Sequence, residues 1–301
     1  MKPTPLLENP LLNSITDKKV FIKPEFKQWT GSFKYRGAYN FISQLDRTSR
    51  NGVIAGSSGN HGIAVSSIAE KFGVNATLCI PKDAPREKLI KINKFNPRVI
   101  LFDRQKQDRT TLTEEIAGRD SLHIIPSSDH EKIIAGTGTI GIEMLEEHDG
   151  LDVILIPVGG GGLASGVALA AHHMNPRVQV IGVEPEIGCD TKISLKANRI
   201  TSILTPNTIA DGLRHTQPGQ LTFPIMKKHL DDVMTVTEEE ILSAINFSHT
   251  KLGLKIEASS AVVIAALLYK KLPENIRKIG VVLSGSNYDH SLLYSGSIEA
   301  I

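Results

Sequence analysis

Seven short apolar runs, most of them rich in β-branched residues, recur along the chain and constrain its fold more than any other feature. They are "VFIK" (20–23), "VIAGS" (53–57), "ATLCIP" (76–81), "RVILFD" (98–103), "DVILIPV" (152–158), "VQVIGVE" (178–184) and "IGVVLSG" (279–285). Amphipathic helical patterns lie between most of them. Ile63, Ala64, Ile68 and Phe72 share one side of 60–72, and Ile241, Leu242 and Ile245 share one side of 238–252. Strand alternating with helix gives an α/β fold with a largely parallel sheet. Most of the runs are continuously apolar, as expected for strands covered on both faces. No repeat, low-complexity segment or linker interrupts the pattern, so a second domain is expected as an insertion between strands.

The 301 residues suit one large domain or two ordinary ones. With 34 basic against 32 acidic residues the net charge is +2, which gives no electrostatic reason to expect nucleic acid or an acidic membrane surface as partner. The basic cluster "KLIKINKFNPR" (88–98) reads as the wet face of a helix. The two cysteines, Cys79 and Cys189, make neither a disulfide framework nor a zinc spacing, and Cys79 sits in a strand-like run. The N-terminus "MKPTPLLENP" is broken by prolines and has no apolar core of a signal peptide, and no stretch is apolar for long enough to span a bilayer. The expected location is cytoplasmic.

In open α/β sheets ligands bind beyond the carboxyl ends of the strands, and three such places stand out. In "DVILIPVGGGGLASG" a strand ends at Val158 and Gly159, Gly160, Gly161 and Gly162 lead into a helix of small residues. Glycines let amides turn toward one point, and the helix start adds partial positive charge; that combination cradles a phosphate. The spacing departs from G-x-G-x-x-G, so a single phosphate fits better than a dinucleotide. In "VIAGSSGNHG" a strand meets Ser57, Ser58, Gly59, Asn60 and His61 at a helix start, which suits a carboxylate. N-capping by Ser58 or Asn60 explains the same residues, and His61 alone reads equally as a structural histidine. In "VVLSGSN", Ser284 offers one hydroxyl at a strand end.

"GSFKYRG" places Lys34 at the start of a helical stripe formed by Tyr35, Ala38, Tyr39, Ile42 and Leu45. A first-turn lysine is at the wrong end of the helix dipole. A lysine with a depressed pKa can act as an amine nucleophile. Beside a phosphate cradle, a carboxylate site and a lone hydroxyl, it points to a phosphorylated aldehyde cofactor.

In these motifs the chain resembles the fold-type II pyridoxal-phosphate (PLP) enzymes, the tryptophan synthase β superfamily, and within them the threonine/serine dehydratases and serine racemases. "TPLLENPLLN", "GSFKYRGAYN", "SSGNHG", "IAGTGTIGIE", "PVGGGGLASG", "GVEPE", "TIADGL" and "VLSGSN" occur in family order over nearly the whole chain. The resemblance implies two open twisted, mainly parallel sheets flanked by helices. A small domain (52–129) would be inserted in a large PLP-binding domain (1–51 and 130–301). It implies that Lys34 carries PLP and is the base at the substrate Cα, with Phe33 beside the ring. Gly159 to Gly162 would hold the phosphate, Asn60 would bond the ring hydroxyl, and Ser284 would contact the pyridine nitrogen. Ser57, Ser58, Asn60 and His61 would surround the substrate carboxylate. The implied reaction is β-elimination of a hydroxy amino acid to a 2-oxo acid and ammonia. Ser58 also stands where racemases carry the acid/base of the opposite face, so serine racemisation is an alternative.

In "VEPEIGCD", Glu184, the carbonyl of Gly188 and Asp190 are hard oxygen donors. The racemase-like relatives bind a divalent cation there, implying Mg²⁺, or Ca²⁺ or Mn²⁺. Arg109 falls where some relatives meet dicarboxylate substrates, which keeps 3-hydroxyaspartate open. Ser286 replaces a family glycine, and "IEASSA" (256–261) departs from the usual pattern while keeping Glu257. Relatives form dimers or tetramers, so a homo-oligomer is expected. The rival readings are a β-replacement enzyme, argued against by the "SSGNHG" loop, and a non-catalytic nucleotide-binding protein, which leaves Lys34 unexplained.

Overall fold

The computed structural model describes residues 1–46, 51–84, 86–269 and 272–287. In its first half, the chain runs through β1 (Leu7–Glu8), α1 (Pro10–Thr16), β2 (Lys19–Pro24), α2 (Lys34–Ile42), β3 (Val53–Ala55), α3 (Asn60–Phe72), β4 (Ala76–Pro81), α4 (Arg86–Asn93), β5 (Arg98–Phe102), α5 (Arg109–Asp120) and β6 (His123–Ile124). There follow α6 (Glu131–Glu147), β7 (Val153–Pro157), α7 (Gly162–Met174), β8 (Gln179–Pro185), α8 (Asp190–Ala197), α9 (Thr222–His229), β9 (Asp232–Val236), α10 (Glu238–Thr250), α11 (Ala258–Tyr269) and β10 (Lys278–Leu283).

The strands form two sheets. One has six strands in the order β1-β2-β10-β7-β8-β9, parallel except for β1, and the other has four parallel strands in the order β5-β4-β3-β6. The α/β class with two mainly parallel sheets is therefore as expected. Helices cover both faces of each sheet, which is why β4 and β7 are buried at every residue. On the larger sheet, α10 and α11 build one apolar layer and α6 and α7 the other. Residues Ala258 to Leu267 of α11 are buried all round, as a central helix requires. On the smaller sheet, α2 and α3 build one layer and α5 the other.

Each of the seven expected strands is present. The pattern misses β1, β6 and β9, which all lie at sheet edges and are either two residues long or only partly buried. The stretch 88–98 is corrected. Its helix stops at Asn93, the chain turns through Asn96 at φ 45°, and β5 begins at Arg98. Two of its lysines are not simply wet: Lys88 pairs with Asp211, and Lys91 donates to Asn287.

Helix α2 is fixed by backbone proximity and by buried charge. A Cβ on Gly136 of α6 would lie 2.6 Å from the carbonyl oxygen of Arg36, so the two helices meet where only glycine fits. Arg36 is 0% exposed and forks onto two carboxylates: Glu25 at 2.7 and 2.8 Å, and Glu143 at 2.5 and 2.7 Å. Lys23, also fully buried, adds a 2.8 Å ion pair to Glu143. Among the described residues no helix is long and apolar enough to cross a membrane.

Candidate active site

Lys34 is the first residue of α2. The chain before it is sewn to the end of β10: the Phe33 amide donates to the Ser284 carbonyl at 3.0 Å, and Ser32 pairs with Gly285. The Lys34 ammonium donates to the Ser127 carbonyl at 2.5 Å and lies 5.0 Å from the centre of the Phe33 ring. Among the described residues it forms no ion pair within 4.0 Å. Burial draws its pKa down to about 8, against the opposing pull of Glu257. The share of free amine near neutral pH is thus raised well above that of an ordinary lysine.

The loop after β3 brings Ser57 to His61 to the start of α3. The N-cap is Gly59, with no side-chain capping bond, and the Ser57 hydroxyl accepts from the Gly59 amide at 3.2 Å. Neither Ser58 nor Asn60 therefore serves as the cap, and the first-turn amides of α3 have no carbonyl of a preceding turn to satisfy them. Asn60 turns its amide nitrogen to both oxygens of Glu257, at 2.8 and 3.0 Å, and its oxygen accepts from Asn287 at 2.7 Å. The His61 ring is buried, with Nε2 bonded to the Ile125 carbonyl at 2.8 Å. Burial and the nearby Lys34 charge lower its pKa to about 3, so it is a neutral donor to backbone. The side chain of His61 is held structurally, and what it offers a carboxylate is its backbone amide.

Each glycine of the loop after β7 has a steric reason. Gly161 sits at φ 86°, where an L side chain is strained. A Cβ on Gly159 would meet His215 at 2.9 Å, one on Gly160 the Ser128 hydroxyl at 2.4 Å, and one on Gly162 the Ser128 carbonyl at 2.7 Å. Close packing thus favours glycine at all four positions, and the number alone is not the anion signal. The stronger signal is the amides. Gly161 caps α7 without a side-chain bond, and the Gly160 carbonyl is turned back to accept from Thr222 at 2.9 Å. This leaves the first-turn N–H groups of α7 for an anion.

Ser127 and Ser128 join the two halves of the site, one holding Lys34 and the other touching the glycine loop. His215, beside Gly159, has its pKa lowered to about 4 by burial and by the Lys34 charge, so it meets an anion as a neutral ring. Ser284 is buried at the end of β10. Glu257 is buried as well, and desolvation raises its pKa to about 7. Sequence reasoning assigned no role to Ser127, Ser128, His215 or Glu257. Three of them flank quoted motifs, "IAGTGTIGIE" and "TIADGL", and Glu257 lies in the noted "IEASSA". An amine of lowered pKa beside a cradle of free amides fits a phosphorylated aldehyde.

The candidate oxygen donors of "VEPEIGCD" lie apart: Glu184 near the end of β8, Gly188 in the turn that follows and Asp190 at the start of α8. Glu184 is 0% exposed and accepts from the amides of Thr191 and Lys192, both at 3.0 Å. Asp190 is 1% exposed, and among the described residues neither of its carboxylate oxygens has a hydrogen-bond partner. Burial raises the pKa of Glu184 to about 8, helped by the Asp190 charge, and burial raises that of Asp190 to about 7. Two buried carboxylates that repel, one of them orphaned, fit a hard divalent cation.

A family model described as pyridoxal-phosphate dependent enzyme matches residues 1–285. Serine racemase of Schizosaccharomyces pombe is 40% identical over 287 residues, covering 95% of this chain and 89% of that protein. L-threo-3-hydroxyaspartate ammonia-lyase of Saccharomyces cerevisiae is 38% identical over 297 residues, covering 97% of this chain and 91% of that protein. The structure of maize serine racemase superposes with a TM-score of 0.93 at 34% identity, covering 98% of this chain and 91% of that one. With an amine of lowered pKa, a cradle of free amides and matches of this extent, the chain belongs to the pyridoxal-phosphate dependent enzyme family.

Proposed function

We propose that this protein is a PLP-dependent lyase that removes water and then ammonia from a hydroxy amino acid such as L-threonine or L-serine, leaving a 2-oxo acid. The observation that carries this reading is Lys34: a half-buried amine with a pKa near 8, bonded to a backbone carbonyl and placed between the glycine loop and the start of α3. PLP, when bound, supplies the electron withdrawal that acidifies the substrate Cα–H. Lys34 carries the cofactor and removes the Cα proton. Gly159, Gly160, Gly161 and Gly162 hold the phosphate by backbone amides. Phe33 packs beside the ring, Ser284 faces its nitrogen and Asn60 its hydroxyl. Ser57, Ser58, Asn60 and His61 orient the substrate carboxylate, His61 through its amide.

Two further readings each have an observation behind them. Ser58 does not cap α3, which leaves its hydroxyl for proton transfer and supports a racemase side activity. The aliphatic stem of Arg109 lies against Gly56, just before Ser57: a Cβ on Gly56 would meet its Cγ at 2.9 Å. A guanidinium there suits the second carboxylate of 3-hydroxyaspartate. Glu184, the Gly188 carbonyl and Asp190 hold Mg²⁺ or a similar cation in this account. The small lobe spans residues 52–129, and the assembly is a homo-oligomer, to be measured by sedimentation.

The test is 2-oxo acid release from L-serine, D-serine, L-threonine and threo-3-hydroxyaspartate, by wild type and by Lys34→Ala. Release from one of these, lost in the variant, is the expected result. No release from any by a protein that retains PLP would overturn the lyase reading. Arg109→Leu should lower kcat/KM for hydroxyaspartate and spare threonine.

A further inference from the structure

Two lysines of α4, a helix of the smaller sheet, reach residues of the larger one. Lys88 pairs with Asp211, whose neighbours Ala210 and Leu213 belong to the apolar layer of α10 and α11. Lys91 donates to the side-chain oxygen of Asn287, just beyond β10, at 3.2 Å. The Asn287 amide nitrogen donates in turn to the Thr30 carbonyl at 2.8 Å and to the Asn60 oxygen at 2.7 Å. The Asn60 nitrogen then donates to both oxygens of Glu257.

This is a directed chain. It starts at an ammonium, which can only donate, and ends at a carboxylate accepting from Asn60. Neither amide between them can flip without setting donor against donor or oxygen against oxygen. The chain is also tightly seated: Gly31 takes φ 75°, and a Cβ there would lie 3.0 Å from the Asn287 oxygen. Desolvation lowers the Lys91 pKa, as expected for an ammonium drawn in from solvent.

We propose that Asn287 is a positioning residue that passes the Lys91 contact of α4 to Asn60, so that this contact and the orientation of the Asn60 amide are one event. The role rests on the reading of Asn60 as the partner of the cofactor ring hydroxyl. Lys88 holds the same helix but lies outside the chain, which makes it the natural control.

The test measures the PLP dissociation constant and the absorbance band of the holoenzyme in Lys91→Met, Asn287→Leu, the double variant, Lys88→Met and Asn60→Ala. Lys91→Met leaves the Asn287–Thr30 bond in place, so a purely structural role for Asn287 would not move its readouts. It carries the test should Asn287→Leu fail to fold. Lys91→Met and Asn287→Leu should each weaken PLP binding by about tenfold, the scale of one charge-assisted hydrogen bond, and shift the band. The double variant should be no weaker than Asn287→Leu alone, since both act on one chain. Lys88→Met should leave the band unmoved. Wild-type affinity and band in Lys91→Met, with binding lost in Asn60→Ala, would overturn the relay alone. Additive losses in the double variant would also overturn it. Unchanged PLP binding in Asn60→Ala would overturn the reading of Asn60 on which the relay rests.

Discussion

Lys34 and Arg36 leave the same turn of α2 and meet opposite surroundings. Arg36 is fully buried and answered by Glu25, Glu143, Thr4 and Thr139. Lys34 is answered by one backbone carbonyl. The acidic groups repeat the contrast: the carboxylate of Glu25 is matched by a cation, whereas the orphaned carboxylate of Asp190 lies near that of Glu184. A paired buried charge fixes a helix. An unpaired one has its pKa shifted toward the neutral form, and such groups mark chemistry or a missing counter-ion.

The largest effect that could break this contrast is on activity. Lys34→Ala should lower 2-oxo acid release by about 10³-fold or more, on the scale of losing a catalytic base. Its unfolding midpoint without PLP should stay level or rise, because only the bond to the Ser127 carbonyl is lost, and with it a desolvated charge. A midpoint that fell as far as for an Arg36-cluster variant would place Lys34 among the structural charges.

The next effect is on stability. Glu25→Gln leaves half of the Arg36 fork unanswered inside the protein and should cost about 3–5 kcal/mol in urea unfolding. A loss under 1 kcal/mol would mean that the cluster is not what fixes α2.

The acidic pair sharpens the contrast through pH. The pKa values of Glu184 and Asp190 are raised in the folded chain to about 8 and about 7. Between the ordinary carboxylate range and those values the folded state binds more protons than the unfolded one. The stability of chelated protein should therefore fall as pH rises from about 4.5 toward 8. Mg²⁺ should restore it, and Asp190→Asn should flatten both the slope and the response. A metal-free protein with no such slope would contradict the placement of these carboxylates.

The smallest effect is expected at the exposed pair of Arg104 and Asp83, 2.9 Å apart. Arg104→Ala should change stability by no more than about 1 kcal/mol and leave the reaction unaltered, since water screens such pairs. A larger loss in thermal melts would show that pairing matters here without burial.

The six interior strands β2, β3, β4, β7, β8 and β10 were legible because strands covered on both faces must be apolar throughout; the edge strand β5, with only Phe102 buried, was legible from its apolar sequence alone, whereas the edge strands β1, β6 and β9 are two residues long or interrupted by polar residues. The glycine loop could be read because the turn from β7 into α7 calls for small residues, whereas Lys34 and the "SSGNHG" stretch stood out through the family motifs they resemble. The packing reason for each glycine could not, since Ser128 and His215 come from distant segments. The same holds for Glu257: only the fold sets its carboxylate against Asn60. Lys88 and Lys91 were misread because a local pattern gives the face of a helix, not what lies across from it.

Everything proposed for the site depends on the amine of Lys34, free of ion pairs among the described residues, being the point of cofactor attachment. Borohydride reduction of the PLP-loaded protein, followed by peptide mapping, tests it most directly. A pyridoxyl group on Lys34, absent from Lys34→Ala, is the result predicted. Label on another lysine, or a loaded protein that borohydride leaves unlabelled, would contradict the account.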